Sequence, residues 1–432
     1  MEFFGTTEVI NNKLFIGGVN TVDLVAQYGT PLYVIDETLI RNKCKRYFKG
    51  FKVNEMGNRV AYAGKAFLTI AMCQIINEEG LCLDVVSGGE LYTAIKSSFP
   101  LERVYFHGNN KTLDEIDMGV KYGVGRFVVD NFYEIERINE VAEKHNKVQS
   151  ILLRITPGIE AHTHDYIKTG QIDSKFGFTI LNDNALEAVR KAAALPNINL
   201  VGLHCHIGSQ IFELEPYEEA ADVMLTLMSS IKNKLGIELE ELDLGGGFGI
   251  HYRMGDKPRS IEEFCETIIR RAEYKAFELN IKLPRLVIEP GRSIVGKAGT
   301  TLYSIGSIKD IPEVRKYVAV DGGMTDNIRP ALYKAEYECV IANRVESSSH
   351  EKVTISGKCC ESGDILLSDV DIPSVESGDI LAVLSTGAYG YSMSSNYNKI
   401  PRAAVVLVGD GKSRLICKRQ SYEDLISTEL SL

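Results

Sequence analysis

The sequence predicts an α/β protein: a (β/α)8 TIM-type barrel followed by a mostly antiparallel β-barrel or sandwich domain. Three observations predict it. Short apolar runs alternate with helix-like segments between residues 55 and 295. The doubly wound rival lacks its usual G-x-G-x-x-G turn after the first strand. After Gly291 the rhythm changes to β-rich segments divided by Gly, Asp and Ser turns.

The apolar runs are "VAYA" (60–63), "LCLDVV" (81–86), "RVYF" (103–106), "RFVV" (126–129), "SILLRI" (150–155), "NLVGLHCH" (199–206), "ELDLGG" (241–246) and "RLVIEP" (285–290). The first five recur about every two dozen residues, the length of one strand and one helix. Intervening stretches such as "TIAMCQIINEE" and "NFYEIERINEVAEKH" place apolar residues at helical spacing. Strands alternating with helices mean a parallel sheet, and eight such units close a barrel. The later segments "TLYSIGSIKDI", "KYVAVDGG", "YECVIANRV", "EKVTISG", "DILAVLS" and "AAVVLVGD" have few helical periods and read as the second domain. The early "KLFIGG" is also strand-like and is assigned to it. The expected division is 35–290 for the barrel, with 1–34 and 291–432 in the β-rich domain. The Ser-rich "VESSSHEK" (345–352) reads as an exposed turn.

Composition narrows the function. The chain has 432 residues, 44% hydrophobic and 25% charged, ordinary values for a soluble globular protein. A net charge of −10 with no basic cluster argues against nucleic acid as a partner. The start, "MEFFGTTEVINN", lacks the basic and apolar regions of a signal peptide. No apolar run approaches the ~20 residues of a membrane helix. The nine cysteines are odd in number and form no CxxC pair, so a reduced, cytoplasmic protein is expected.

In a barrel of this kind chemistry gathers at the C-terminal strand ends. Those ends carry Lys65; Asp84 with Ser87 and Glu90; His107; Asp130; Arg154; His204 and His206; Gly245 to Gly247; and Glu289 with Arg292. Such residues are costly to bury unpaired, so packing does not explain their gathering at one rim.

Each motif also has a plainer reading. "LDLGGGFGI" (242–250) is either a tight packing turn or, after the seventh strand, a phosphate cradle of backbone N–H groups. His204 and His206 in "HCHIGSQ" share a strand face and are core histidines or a flat partner for a flat ligand. A metal needs three or four matched ligands, and none is expected. "VIEPGRS" (287–293) is an ion pair closing the barrel, or a carboxylate for a ring nitrogen and a guanidinium for an anion. Taken together, a rim lysine, a phosphate cradle, a stacking imidazole and an acid suit a Schiff base between Lys65 and pyridoxal phosphate.

At this level the chain resembles the fold-type III pyridoxal-phosphate decarboxylases, a family with an alanine racemase-like barrel, and within it the diaminopimelate-acting branch. The resemblance runs through "YGTPLYVID" (28–36), "YAGKA", "DVVSGGE", "RITPG…THDYIKTG…SKFG", "GLHCHIGSQI", "LDLGGGFGI" and "EPGR". It continues in "DGGMTDNIRPALY" (321–333), "CESGD" (360–364) and "GAYGYSMSSNYN" (387–398). Two departures stand out: Gly64 precedes the lysine where relatives often carry Leu, which would loosen the strand end, and Thr156 replaces a frequent Asn.

The resemblance implies that Lys65 holds the cofactor covalently, His206 stacks on its ring and Glu289 keeps the ring nitrogen protonated. It also implies that Asp84, Arg154, Ser209, Gly245, Gly246, Gly247, Gly291, Arg292 and Tyr389 complete the cofactor site. Arg292, Arg329, Tyr333, Glu361 and Tyr389 match substrate-binding positions, and Cys360 matches the proton donor, contributed across a homodimer with shared active sites. The implied reaction is decarboxylation of meso-2,6-diaminopimelate at its D centre, giving L-lysine and CO2. The rivals are decarboxylation of ornithine, arginine or carboxynorspermidine, and a non-catalytic pyridoxal-phosphate-binding protein. "RPALY" and "CESGD" taken alone are equally a helix start and a polar turn.

Overall fold

The structure, a computed structural model, describes residues 3–159, 174–346 and 349–432. The expected motif "THDYIKTG" (163–170) lies outside them. Two compact units are present: Lys43–Gly249 with Lys257–Ser293, and Met1–Asn42 with Ile250–Asp256 and Ile294–Leu432.

The first unit is a closed parallel barrel. Its strands are β1 (Arg59–Ala63), β2 (Cys82–Val85), β3 (Val104–Phe106), β4 (Arg126–Val129), β5 (Gln149–Thr156), β6 (Ile198–Cys205), β7 (Glu241–Asp243) and β8 (Arg285–Ile288). They pair in that order, and β8 closes on β1 with Val287 opposite Arg59. Polar residues start the helices between them, because a helix leaves its first N–H groups without internal partners. Thr69 accepts the Met72 N–H (3.1 Å) and Asn131 the Glu134 N–H (3.0 Å). Ser260 and Glu263 form a reciprocal capping box on Ile261–Glu278. Each cap contributes about 1 kcal/mol.

Strand side chains alternate, so residues two apart share the barrel interior. The result is three chemically distinct levels. Ala61, Cys82, Tyr105, Val128, Leu152, Val201 and Val287 form a buried apolar middle. One step toward the N-terminal ends lies an ionic knot around a buried carboxylate, its arginines reaching it from the barrel rim. The Glu241 carboxylate accepts from the Tyr105 hydroxyl (2.9 Å) and faces Arg59 (3.6 Å), Arg126 (3.4 Å) and Arg285 (3.4 Å). One step the other way, Asp84, His107, Asp130, Arg154, His204, Asp243 and Glu289 line the mouth.

In the second unit the 13-residue strand Gly299–Ile311 pairs antiparallel with Leu32–Asp36, Ile380–Val383 and Arg315–Val320. Most pairings are antiparallel. Ala404–Gly409 on Leu32–Asp36 and Arg315–Val320 on His350–Ser356 are parallel. Alternation again decides the cores. Leu302 joins Leu14, Ile16, Leu32, Val34 and Val406, while Tyr303 and Ile305 join Val318, Ile355 and Leu381. The "KLFIGG" strand thus lies in this unit. Leu32–Asp36 belongs to it through its strand partners, and Ile250 and Tyr252 through burial in the Tyr303 core. The unit boundary therefore falls at 42/43, later than the expected 34/35. Within "VESSSHEK", residues 347–348 are not described, and His350 already begins the strand His350–Ser356 rather than a turn. Among the described residues no helix is long and apolar enough to cross a membrane, and all nine cysteines are free.

Candidate active site

β1 ends at Ala63, and a single 3-10 turn, Gly64–Ala66, turns Lys65 outward. The Tyr62 hydroxyl donates to the Phe67 carbonyl (2.7 Å) and fixes the turn from beneath. Gly64 does not loosen this strand end. It is buried, and a Cβ there would stand 2.8 Å from the Asp84 carbonyl oxygen and 3.3 Å from Leu68. The turn therefore packs against β2 at a distance only glycine permits. The Lys65 side chain is exposed and lies within electrostatic reach of Asp84, Glu90 and His206.

Beside it the mouth is buried and densely charged. Glu289 Oε1 is 2.6 Å from His107 Nε2, and Oε2 is 3.3 Å from His204 Nε2. Asp84 stands 3.7 Å from His107. Burial pushes the Glu289 carboxyl upward, but the two imidazoles outweigh it and hold it well below the usual carboxylate range. Burial drives Asp243 well above that range, and the neighbouring Glu289 charge adds to the shift. Burial also raises Asp84, the His107 imidazole only partly offsetting it. His107, His204, Asp243 and Glu289 have donor atoms all within 4.8 Å of one another. Ligands around a tetrahedral ion at ~2.1 Å stand roughly 3.4 Å apart. The 2.6 Å separation of His107 Nε2 and Glu289 Oε1 is shorter than that and is a direct contact between ring nitrogen and carboxylate.

Arg154 lies 4.0 Å from Asp130 and stacks on Phe176 at 4.2 Å. The Thr156 hydroxyl donates to the Phe176 carbonyl (2.6 Å), so the threonine anchors "SKFG" to the end of β5. His206 Nδ1 accepts the Gly246 N–H (3.3 Å), and burial, then the Lys65 charge, lowers its pKa well below the usual histidine value. The ring is therefore neutral, flat and held from one edge. Gly245, with φ of +68°, would meet the Cys205 carbonyl at 2.5 Å if it carried a Cβ; Gly246 would meet the Glu289 carbonyl at 2.1 Å. The Gly245 N–H donates to Asp243 (2.8 Å). Two of the three glycine N–H groups thus bind protein rather than pointing outward, and close packing is part of what the motif does. The Arg292 guanidinium donates to Ser209 (2.9 Å), placing a cation and a hydroxyl together after β6 and β8. At Gly291 a Cβ would lie 2.9 Å from that of Ala63, so "EPGR" packs directly on the end of β1.

The β-rich unit gathers its own candidates. The Asp364 carboxylate, 2% exposed, accepts the N–H groups of Met324 (2.6 Å) and Cys359 (2.8 Å), tying "CESGD" to "DGGMTDN". The Ser395 N–H donates to the Thr325 carbonyl (3.0 Å), bringing in "GAYGYSMSSNYN". Cys360 and Glu361 are exposed, the Cys360 N–H bound to Asn398 (2.8 Å). Arg329 is 8% exposed, donates to the Tyr337 hydroxyl and lies over the Tyr252 ring at 5.1 Å. Tyr389 is within its electrostatic reach and adopts φ of +60°, an outlying conformation for a bulky residue. Tyr333 is half-buried at the end of the helix Arg329–Tyr333.

Some features escaped the sequence reading. Asp243 and Asp364 were hidden among glycines, although the spacing Glu241, Asp243 in a buried strand is a legible signal. Ser87 has a simpler task than chemistry, capping the helix Gly88–Lys96. Glu90 accepts the Val86 N–H (2.8 Å), and burial raises its pKa to about 7. A raised carboxyl contributes stability below its unfolded value, near 4.5, that is lost as pH rises through 7. Glu90→Gln, which keeps an acceptor, is expected to match wild type at pH 4.5 and exceed its stability by roughly 1–3 kcal/mol above pH 7. Urea midpoints of the cofactor-free chain across that range check it; parallel pH curves would contradict it.

A barrel whose mouth carries both an exposed amine and a buried acid held low defines a class. The family model described as "Pyridoxal-dependent decarboxylase, pyridoxal binding domain" matches residues 37–296. Curated relatives narrow the class. The chain is 51% identical to the diaminopimelate decarboxylase of Halalkalibacterium halodurans, over 100% of this chain and 98% of that one. It is also 51% identical to that of Bacillus subtilis, over 97% and 96%. The solved diaminopimelate decarboxylase of M. jannaschii in complex with L-lysine superposes with a TM-score of 0.93 at 37% identity, covering 99% of this chain and 98% of that one. The chain belongs to the diaminopimelate decarboxylase family.

Proposed function

We propose that this chain catalyses pyridoxal-phosphate-dependent loss of CO2 from the D centre of meso-2,6-diaminopimelate, releasing L-lysine in the last step of lysine biosynthesis. One observation carries the reading. In a chain 51% identical end to end to curated diaminopimelate decarboxylases, the neighbouring strands β1 and β8 end in an exposed amine, Lys65, and a buried carboxylate held low, Glu289.

The residues present suit the cofactor. Lys65 is the amine that would hold it, the neutral His206 ring a face for stacking, and Arg292 with Ser209 a pair for phosphate. When bound, the cofactor supplies an electron sink for the pair left by departing CO2. General acid–base help alone gives about 10²–10⁴-fold, short of what enzymes reach. Glu289 is central because an anion favours a proton on the ring nitrogen. Asp84 and Arg154 flank the mouth, and Lys65 would be the amine that the substrate displaces and that later releases the product.

Arg329 supports the substrate assignment. Among the described residues no carboxylate lies within ion-pair distance of this buried guanidinium, and an uncompensated buried charge costs several kcal/mol. A substrate carboxylate would relieve that cost, with Tyr333 from the same motif, Tyr389 within electrostatic reach and Glu361 for the distal ammonium. Cys360 and Glu361, exposed on one turn, are read as contributions to the active site of a second copy, with Cys360 as proton donor in a cytoplasmic homodimer. The test is product and selectivity: the chain with cofactor and meso-diaminopimelate releases CO2 and lysine. Arg329→Ala is expected to lower kcat/KM for diaminopimelate about 10²-fold or more while changing lysine turnover little. Unchanged selectivity would remove Arg329 from substrate recognition.

A further inference from the structure

We propose that His107, His204 and Asp243 are positioning residues that hold the Glu289 carboxylate by both of its oxygens and fix it as the anion facing the cofactor ring. The proposal rests on the assignment of Glu289 to the ring nitrogen and adds what makes that residue work.

The geometry is a clamp. His204 Nε2 hydrogen-bonds Oε2 at 3.3 Å, and His107 Nε2 stands 2.6 Å from Oε1 in a close polar contact without hydrogen-bond alignment. The two rings meet edge to face, centroids 4.9 Å apart at 72°. They are 5% and 1% exposed, so water does not compete for the carboxylate. Asp243 completes the clamp from the neighbouring strand β7. One of its oxygens is tied to the Gly245 N–H (2.8 Å), while the Glu289 N–H donates to the Gly245 carbonyl (2.8 Å). The Glu289 backbone is thus registered against the turn after β7, and the Asp243 carboxyl lies within 4.8 Å of the Glu289 carboxylate.

The clamp matters because a buried carboxyl left alone takes up a proton rather than stay charged. A protonated Glu289 would no longer favour a protonated ring. Two close carboxyls cannot both ionise cheaply, and here the environments push them apart. Asp243 is driven up and keeps the proton, while Glu289, with an imidazole nitrogen against each oxygen, keeps the charge. Burial lowers His204 to about 4, so it donates as a neutral ring. A neutral imidazole has one N–H. Its donor must then be Nε2–H, leaving Nδ1 bare, and Nδ1 has no hydrogen-bond partner among the described residues. The tautomer is therefore a direct reporter of the clamp.

The experiment uses the full chain. In unmodified protein, 15N histidine spectra are expected to show Nε2–H on both His107 and His204; an Nδ1–H tautomer at either overturns the proposal. In cofactor-loaded protein, His107→Phe and His204→Phe are expected to raise the cofactor dissociation constant about 10–100-fold. They should also shift the absorption band that reports ring protonation and lower kcat, with KM little changed. His107→Gln and His204→Asn, which still donate to a carboxylate, should recover most of the loss. Because both histidines act through one residue, the double Phe variant should fall no further than Glu289→Gln. Folded Phe variants with wild-type affinity and spectrum, or a lowered melting temperature alone, overturn the clamp. If Glu289→Gln itself leaves spectrum and affinity unchanged, the assignment of Glu289 fails and the clamp with it.

Discussion

Replacing Lys65 by alanine is expected to lower CO2 release at least roughly 10³-fold while leaving the fold intact. The side chain is exposed at the barrel mouth, so its removal should change stability by no more than about 0.5 kcal/mol. The loss is chemical. Borohydride treatment of loaded wild-type protein should leave a reduced adduct on the peptide containing Lys65, and none on the variant. Lys65→Arg separates charge from reactivity, because a guanidinium keeps the cation but is not a working nucleophile. It should be as inactive as the alanine variant. Turnover within tenfold of wild type, or an adduct mapped to another lysine, would remove Lys65 from the mechanism.

The second large effect is on stability, at the opposite end of the barrel. Glu241 is 1% exposed, and its carboxylate is the shared partner of Arg59, Arg126, Arg285 and the Tyr105 hydroxyl. Glu241→Ala leaves three guanidiniums facing one another around an empty acceptor position. Removing one partner of a fully buried ion pair costs about 3–5 kcal/mol, and the partial exposure of the arginines, 17–41%, lowers the expected cost here to roughly 1–3 kcal/mol. The urea midpoint of the cofactor-free chain should fall accordingly, with Glu241→Gln in between because it still accepts from Tyr105. Below the unfolding transition, kcat should persist, since in this fold chemistry sits at the C-terminal mouth and the N-terminal barrel face serves stability. A cost under about 1 kcal/mol would show that the arginines are solvated rather than held.

Much of the site was legible because barrel geometry converts strand ends into one rim. Lys65, Asp84, Arg154, His206 and Glu289 were each read from the end of an apolar run, and the fold brings them together. The Glu289 clamp was not legible as a unit. His107 and His204 were visible as rim residues, but their shared target depends on β3 and β6 facing β8 across the barrel, and strand order in space is not a local property. Gly64 shows the same limit from the other side. Its sequence context reads as slack, whereas the close approach of the Asp84 carbonyl makes it a packing requirement.

By itself the sequence determined the alternation of strand and helix, the change to β-rich segments after Gly291 and the inventory of reactive side chains at strand ends, since periodicity and turn chemistry are written residue by residue. Only the tertiary structure decided which of those side chains share a neighbour. It placed Leu32–Asp36 and Ile250–Asp256 in the β-rich unit through long-range strand pairing and burial. It also set the two carboxyls apart, burial raising Asp243 while the imidazoles of His107 and His204 lower Glu289, because those rings arrive from strands distant in the chain.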